Sequence, residues 1–408
     1  MPHTPTTESR YARPGASRVI RDIAATAQPL AFGDQPDLQA LEAAIGDAQV
    51  VLLGEQNHGD GAAFAVKAQV IEYLNKKLGF DVLAFEADFF ALQHSWDEAV
   101  RKADAGQLSR HVYYFWRDEP QVAPLWNLVQ ERLSSSRPLI VTGIDVRHTG
   151  AYPKSLVADE LESHLARNGV DLNEDWHQFR SLLDSLLEEE YSHRVNAKER
   201  IRFMDGLWRL REQLDGNDRV SRFWRQELSN LVWTARNAWG FEGRDEGMGR
   251  NLAWLARERY PDKRIVVWSH NYHVVRSKAA LDASHPPYAR ERAKYPDTPM
   301  GEVAARELDS SVRSIALVAG QGWTSPNAWK RDLKTHDTLT SPLPGSMESE
   351  LLATNLDYAY LDLTRVTSSF TLNGIEHGTP IETTWHQAFD GLLYIREMSG
   401  LGIAGEEY

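Results

Sequence analysis

Short apolar runs that alternate with helical segments constrain the fold of this 408-residue chain more than any other feature of its sequence. The clearest example starts with a run over residues 49–53 and ends with a second run over residues 81–85. Between them, residues 61–78 carry apolar side chains at helical spacing, and Gly79 follows as a helix stop. Because short strands that alternate with helices form parallel sheets through right-handed crossovers, this stretch predicts a β-α-β unit.

Further apolar runs extend the same pattern at residues 139–142, 264–268, 312–318 and 392–396. Each is short and bounded by polar or turn residues, which is typical of strands covered on both faces. Residues 155–239 instead show the pattern of amphipathic helices, and the chain after Ala319 predicts long loops. The sequence therefore predicts an α/β fold with a mostly parallel sheet flanked by helices. We expect an inserted helical subdomain beside the active-site cleft.

These patterns divide the chain into four segments. We expect a mobile N-terminal tail over residues 1–17, a first part of the α/β core over residues 18–150, a helical insertion or cap over residues 151–242, and a second part of the core over residues 243–408. Aromatic residues of the insertion suit either a bundle core or substrate contacts, and at helical spacing they usually form core. They are Trp208, Phe223, Trp224, Trp233 and Trp239.

Composition narrows the chemistry that the chain can perform. It has no cysteine, which excludes disulfides, thiol nucleophiles and Cys-ligated metal centres. A formal net charge of -13 argues against general binding of nucleic acid or anionic membranes, because such partners need a basic face. We find no apolar signal segment at the start and no apolar stretch of about 18 residues, so we expect a cytoplasmic protein.

Ionisable side chains follow four of the apolar runs. In an open parallel sheet, ligands bind at the carboxyl ends of the strands, where these side chains would meet. They are Glu55 and His58 after the first run, Glu86 after the second, Asp145 and Arg147 after the third, and His270 and His273 after the run over residues 264–268. Each alone has a structural explanation as a cap, an ion-pair partner or a buried histidine. Together, at one edge, they predict a functional site.

Several kinds of catalytic site can be weighed from motifs. The chain contains no Gly-x-Ser-x-Gly elbow, no phosphate-binding loop and no His-Glu-x-x-His signature. A bound divalent metal remains an alternative, because the pairs Glu55 with His58 and His270 with His273 have side chains of the types that bind such metals. We expect no cofactor. What remains is water activated directly by a histidine that a carboxylate orients.

A resemblance to a known family rests on the run LLGEQNHGDGAAFAVKAQVIEYLNKKLGFDVLAFEAD and on later segments that begin at Gly243, Arg264 and Met300. In this order the segments are similar to the erythromycin esterase family. The resemblance implies a hydrolase of macrolide lactones on an α/β core. It makes His58 the general base and Glu55, Glu86 and His270 essential site residues. We therefore expect Glu55 or Glu86 to hold His58.

The resemblance also implies roles for the residues around this centre. Lys67 stands where the family has Arg or Lys, and Arg244 with Asp245 matches an Arg-Asp pair of the family. We expect Lys67, His270 or Asn271 to donate hydrogen bonds to the oxyanion of the reaction. The predicted substrate-binding residues are Lys67, Asn271, His273, Asp145, Arg147 and Arg244. The expected partner is a small molecule, a macrolide or another lactone or ester natural product.

One position departs from the family pattern. Ala62 stands four residues after His58, where familiar members carry Glu. The same site could therefore catalyse a cyclisation, elimination or acyl rearrangement in natural-product biosynthesis, because family membership does not fix the substrate or the step. A second alternative is a protein that binds a metal or haem through His270 and His273 without turnover.

Overall fold

The computed structural model describes residues 16–170, 175–188, 195–241, 243–282, 298–331, 335, 337–339, 342–375 and 378–402. Its strands are β1 Gln28–Pro29, β2 Val50–Leu53, β3 Phe80–Asp88, β4 Ile140–Asp145, β5 Arg264–Trp268, β6 Val312–Thr324, β7 Asp337–Leu339, β8 Tyr358–Asp362, β9 Phe370–Leu372, β10 Ile381–Thr383 and β11 Gly391–Met398. Its α-helices are α1 Ala16–Ala24, α2 Gln39–Ile45, α3 Gly61–Leu78, α4 Phe89–Lys102, α5 Gly106–Ser109, α6 Tyr114–Arg117, α7 Ala123–Arg132, α8 Ser155–Arg167, α9 Asp175–Glu188, α10 Ala197–Gln213, α11 Arg219–Ala238, α12 Arg244–Trp254, α13 Lys278–Asp282, α14 Met300–Leu308 and α15 Met347–Ala353.

The centre of the fold is a sheet with the strand order β1-β8-β11-β6-β2-β5-β3-β4, in which β7 also pairs with β6. Strands β11, β6, β2, β5, β3 and β4 run parallel to their neighbours in that series. Strands β1 and β8 add antiparallel pairs at one edge, and β7 pairs antiparallel with the end of β6. Helices pack around this sheet. The prediction of an α/β fold with a large, mostly parallel sheet flanked by helices is confirmed.

All six predicted apolar runs form strands, although their ends differ from the prediction. Strands β3 and β4 extend beyond their apolar residues, so Glu86 and Asp145 lie inside strands and not after them. The loop predicted directly after Ala319 is wrong, because β6 continues to Thr324. Strand β11 pairs with this extension as far as Gly322, and β7 pairs with its end. Pairing partners far along the chain therefore decided where the strand ends.

The predicted helix between the first two strands is α3, with the expected bounds. Gly79 ends it in the left-handed conformation at φ 78°, and its N–H donates to the carbonyl of Leu74. A residue with a Cβ is strained at that φ, so glycine is the natural helix stop here. The loop that carries Glu55 and His58 connects β2 to α3, a helix of about five turns. Both ends of the loop are therefore held by regular structure.

Helices α8 to α11 lie between β4 and β5 in sequence and share a hydrophobic cluster that is distinct from the core of the sheet. Trp224 and Trp239 are buried in this cluster, and Phe223 packs against both clusters. Trp208 instead is 44% exposed, so it is not the core residue that its helical spacing predicts. The division into segments and the role of these helices as a cap stay predictions.

The predicted N-terminal tail falls mostly on residues 1–15, which lie outside the described residues, and α1 begins at Ala16. Among the helices of the described ranges, none is both long enough and apolar enough to cross a membrane.

Candidate active site

Three neighbouring strands are paired in register where the site begins, at the carboxyl-terminal edge of the sheet. Leu53 of β2 pairs with Trp268 of β5, which pairs with Phe85 of β3. The chain beyond these three residues therefore reaches the same edge, where the loops of a parallel sheet converge. The side chains of the four predicted strand ends gather here in two hydrogen-bonded networks. We call them the Glu55 network and the Glu86 network, after the buried carboxylate at the centre of each.

In the Glu55 network, one fully buried carboxylate receives four hydrogen bonds. Oε1 accepts from His58 Nδ1 at 2.9 Å and from Trp116 Nε1 at 3.2 Å. Oε2 accepts from Lys67 Nζ at 2.7 Å and from Trp268 Nε1 at 2.8 Å. An ionised carboxylate only accepts hydrogen bonds, and two donors at each oxygen match its lone pairs. Glu55 is thus an orienting acceptor and is not placed to attack a substrate.

His58 has the geometry of a general base. Because Glu55 can only accept, Nδ1 of the neutral imidazole carries the proton and the lone pair lies on Nε2. Within the parts of the chain that the structure describes, no hydrogen-bond partner contacts Nε2. The side chain is 21% exposed, and its ring stacks on Phe115 at 5.3 Å between centroids. The ring of His270 lies 5.4 Å away.

Lys67 is an anchor for Glu55. Its ammonium group is buried, donates to Glu55 and to the carbonyl of Ser269 at 3.1 Å, and lies over the ring of Trp268. Burial lowers the pKa of Lys67 to about 8, although the charge of Glu55 opposes that shift. In the structure its hydrogen bonds go to Glu55 and Ser269, and a direct role of Lys67 in binding the substrate stays a prediction.

In the Glu86 network, the central carboxylate is tied to charged partners. Oε1 of Glu86 lies 2.7 Å from Arg244 Nη2 and 3.2 Å from His273 Nε2. Oε2 accepts from Ser269 Oγ at 2.7 Å and from the backbone N–H of His270 at 3.1 Å. Burial opposes ionisation, but the charges of His273 and Arg244 hold the pKa of Glu86 well below its usual value. Of the two carboxylates expected to hold His58, only Glu55 does so.

The remaining charged residues extend the Glu86 network. Arg244 Nη2 lies 2.7 Å from Asp145 Oδ2, which also receives Arg147 Nη2 at 3.0 Å. His273 Nδ1 lies 2.5 Å from Asp245. Burial opposes the charged form of His273, but Asp245 and then Glu86 raise its pKa to about 10. Three carboxylates therefore face three cations in this network.

Asp145 is a structural part of that network. Its side chain is completely buried, and the charges of Arg147 and Arg244 outweigh burial and lower its pKa. Arg147 also donates to the hydroxyl of Tyr113 at 2.8 Å. Arg147 remains 25% exposed at the side chain, and substrate contacts of Asp145 and Arg147 stay predictions.

Both ring nitrogens of His270 are occupied by the backbone. Nδ1 accepts from the N–H of Tyr272 at 3.1 Å, so Nε2 carries the proton and donates to the carbonyl of Gln56 at 3.0 Å. A ring with this pattern has no nitrogen left for an oxyanion or for a metal. The role of His270 as an oxyanion donor, and the alternative of a metal or haem bound through His270 and His273, stay predictions.

Asn271 connects β6 to the turn that follows β9. Its amide donates to the carbonyls of Leu317 and Gly374 at 2.7 Å each, and its Oδ1 accepts from the N–H of Leu317 at 3.0 Å. A Cβ at Gly54 would lie 2.0 Å from that Oδ1, so only glycine fits beside it. The side chain is fully buried, and its role as an oxyanion donor stays a prediction.

Ala62, which stands where the family pattern has Glu, lies at the start of α3. The residue lies in the first turn of the helix, two residues after Asp60, whose side chain is completely buried. Burial and the charge of Glu55 raise the pKa of Asp60 to about 8, against a hydrogen bond from Thr324. Burial therefore favours the protonated form of Asp60, beside the position where the family pattern has a glutamate and this chain has Ala62.

Sequence reasoning missed three residues of the site: Trp116, Trp268 and Ser269. Trp268 and Ser269 stand at the end of an apolar run just before the predicted histidines, and that position was the available signal. Trp116 follows no strand, and only the three-dimensional structure places its N–H on Glu55. Among the described residues, no group of three His, Asp or Glu side chains is arranged to hold a metal ion.

The comparison with protein families adds an independent finding. A model of the family described as Erythromycin esterase matches residues 76–398. The chain belongs to the erythromycin esterase family. The matched segment contains Glu86, Asp145, Arg244 and the loop over residues 269–273, whereas Glu55 and His58 precede it.

Relatives of this erythromycin esterase family member are distant. YbfO of Bacillus subtilis (strain 168), a hydrolase by name, is 25% identical over 82% of this chain and 79% of its own length. Erythromycin esterase type II of Escherichia coli is 20% identical over 89% of this chain and 93% of its own. The solved structure of a mutant erythromycin esterase, EreC, in its open conformation has a TM-score of 0.67 at 16% identity and covers 93% of this chain and 99% of its own. At that identity the structural match supports the shared fold alone.

Proposed function

We propose that this protein is a hydrolase that opens an ester or lactone bond with water activated by His58. The observation that carries the proposal is the contact between His58 Nδ1 and Glu55 Oε1, which leaves the lone pair of Nε2 available at the partly exposed end of the ring. A histidine whose tautomer is fixed by a carboxylate can accept a proton from water near neutral pH. Membership of an esterase family supports the same reaction class.

In the proposed reaction, Nε2 of His58 takes a proton from water as the oxygen attacks the carbonyl carbon. The imidazolium that forms is stabilised by Glu55, whose carboxylate Lys67 and two indole N–H groups hold in place. The tetrahedral intermediate then collapses, its carbon–oxygen bond to the leaving alcohol breaks, and His58 returns its proton to that oxygen. The products are an alcohol and a carboxylic acid, which loses its proton to solvent, or one open-chain hydroxy acid from a lactone.

For the substrate we propose a small molecule of the macrolide class or a related lactone or ester natural product. One distant relative is named an erythromycin esterase, which favours a macrolide, and Ala62 in the first turn of α3 favours a different member of that class. We further propose that the protein acts in the cytoplasm, in antibiotic resistance or in secondary metabolism.

The test is a panel of macrolides, simpler lactones and aryl esters, assayed in heavy-oxygen water with wild type and His58→Asn. We expect one labelled oxygen in the carboxylate product of the wild type. Because Asn cannot accept the proton, we expect turnover by His58→Asn to fall at least about 10³-fold. His177→Asn, at an exposed histidine of α9, serves as the matched control and should keep wild-type turnover.

Two results would contradict the proposal. Retained turnover in a folded His58→Asn variant would show that another group activates water. A product isomer without the label would replace hydrolysis by a cyclisation, elimination or acyl rearrangement at the same site.

A further inference from the structure

Two tryptophans donate hydrogen bonds to the carboxylate that holds the proposed base. Trp268 Nε1 binds Oε2 of Glu55, the oxygen that also receives Lys67. Trp116 Nε1 binds Oε1 at 3.2 Å, and Oε1 is the oxygen that receives Nδ1 of His58. Trp116 and His58 therefore share one acceptor atom, whereas Trp268 acts on the other oxygen.

We infer that Trp116 is a positioning residue that weakens the hold of His58 on a proton by sharing Oε1 of Glu55 with it. An N–H dipole aimed at a carboxylate oxygen offsets part of its negative charge, so the oxygen stabilises a neighbouring imidazolium less. The effect of Trp116 on His58 does not depend on the proposed function, but its consequence for catalysis does. If His58 activates water, Trp116 sets the pH below which His58 is protonated and inactive.

The contacts of Trp116 favour this role over packing alone. The indole is completely buried, and its ring meets the imidazole of His58 edge to face, with 5.4 Å between centroids and an interplanar angle of 83°. Backbone hydrogen bonds from the N–H groups of Trp116 and Arg117 to the carbonyl of Tyr113 hold this turn of α6, and the carbonyl of Trp116 also accepts from Trp126 Nε1 at 3.0 Å. One rigid side chain thus touches both the base and the oxygen that orients it.

Trp126 provides a matched control in the same aromatic cluster. Its ring stacks on Phe85 at 5.8 Å, but its N–H is bound to a backbone carbonyl and not to Glu55. Trp116→Phe and Trp126→Phe therefore remove the same atoms from neighbouring positions. Only the first change removes a donor from the carboxylate.

The experiment is an NMR titration of the His58 imidazole in wild type, Trp116→Phe and Trp126→Phe, with the resonance assigned by its loss in His58→Asn. Without the indole donor, Oε1 stabilises the imidazolium more strongly, so the midpoint should rise by about half a pH unit in Trp116→Phe. Trp126→Phe should keep the wild-type midpoint. Where an ester is hydrolysed, the acid limb of the pH–rate profile should move with the NMR midpoint.

A second replacement protects the test against loss of folding. A benzothienyl analogue of tryptophan at position 116 keeps the shape of the side chain and replaces the N–H by sulfur, and it should give the same upward shift. An unchanged midpoint with this analogue, or an equal shift in Trp126→Phe, would overturn the inference. The titration needs no turnover. If the wild type hydrolyses no ester, the proposed function fails while the effect of Trp116 on His58 is still measured.

Discussion

The two buried carboxylates of the site, Glu55 and Glu86, lie at the centres of adjacent networks, but their charges are balanced in different ways. Glu55 has one cation, Lys67, and three neutral donors, among them a histidine with one nitrogen free to accept a proton. Glu86 sits among Arg244 and a charged His273, and its other oxygen binds a hydroxyl and a backbone N–H. Only the Glu55 network contains a group that can change its charge during a reaction without breaking an ion pair.

The Glu55 network thus contains a proton acceptor, whereas the Glu86 network consists mainly of ion pairs. Ser269 joins them, because its carbonyl accepts from Lys67 and its hydroxyl donates to Glu86. The charged Glu86 network therefore fixes the chain just after β5, and that chain in turn helps to fix the donors around Glu55. The comparison predicts that changes in the Glu55 network act on turnover and changes in the Glu86 network act on stability.

Glu55→Gln should give the largest effect. An amide cannot accept hydrogen bonds at both ends, so it fails to hold His58 in the tautomer with the proton on Nδ1. The equivalent change in a Ser-His-Asp triad lowers kcat about 10⁴-fold, and we expect a loss of about 10³- to 10⁴-fold here. Steady-state kinetics with the substrate found in the panel measures it.

Glu72→Gln is the control, because Glu72 lies on α3 in an exposed ion pair with Lys76 and should keep wild-type kinetics. Wild-type kcat in Glu55→Gln would break the comparison, since it would leave Glu55 with a structural role only.

Arg244→Met should act on stability. The side chain is only 17% exposed, and its removal leaves the three buried carboxylates of the Glu86 network facing two cations, His273 and Arg147. We expect the free energy of unfolding at pH 7 to fall by about 3 kcal/mol. Chemical denaturation measures it.

The pH dependence of that loss has a defined sign. The pKa values of Glu86 and Asp145 are lowered in the folded protein, so their contribution to stability is present above the unfolded value of about 4 and is lost as the pH falls below it. The gap between wild type and Arg244→Met should therefore narrow in acid. Arg250→Met, at an exposed ion pair of the same helix, should change stability by less than about 0.5 kcal/mol. A similar loss of unfolding free energy in both variants would show that the buried Glu86 network contributes no more to stability than an exposed ion pair does.

The sequence was sufficient for the sheet and for the edge where the site lies, because both follow from local patterns. Apolar runs predicted the strands, and Gly79 predicted the end of α3. The position of Glu86 and His270 directly after such runs predicted that they would meet. None of these steps needs knowledge of a distant contact.

The partners of individual side chains could not be predicted in the same way. Lys67 and Asn271 have the right chemistry for oxyanion donors, but their hydrogen bonds go to groups 12 or more positions away in the chain. Trp116 counts as an apolar residue in any pattern, although its N–H is a ligand of the central carboxylate. Which donors of a side chain remain available depends on the folded neighbours, and spacing along the chain carries no information about them.

Lys67→Arg gives the smallest expected effect and tests the one cation of the Glu55 network. Because burial lowers the pKa of Lys67 to about 8, the ammonium loses its proton, and with it part of its hold on Glu55, as the pH rises through 8. We expect an alkaline limb near pH 8 in the pH–rate profile of the wild type. An arginine stays charged, so the limb should move upward by at least about one pH unit in Lys67→Arg.

Lys67→Arg should also change how the free energy of unfolding depends on pH. In the wild type this free energy should rise over the pH range in which turnover falls. In the wild type, the unfolded chain binds a proton at Lys67 up to a pH of about 10.5, whereas the folded protein releases it near 8, so this group adds stability as the pH rises between those values. Lys67→Arg should lack that gain in denaturation curves recorded across the interval. An alkaline limb that stays in place in Lys67→Arg would assign it to another group and leave Glu55 without a titrating partner at high pH.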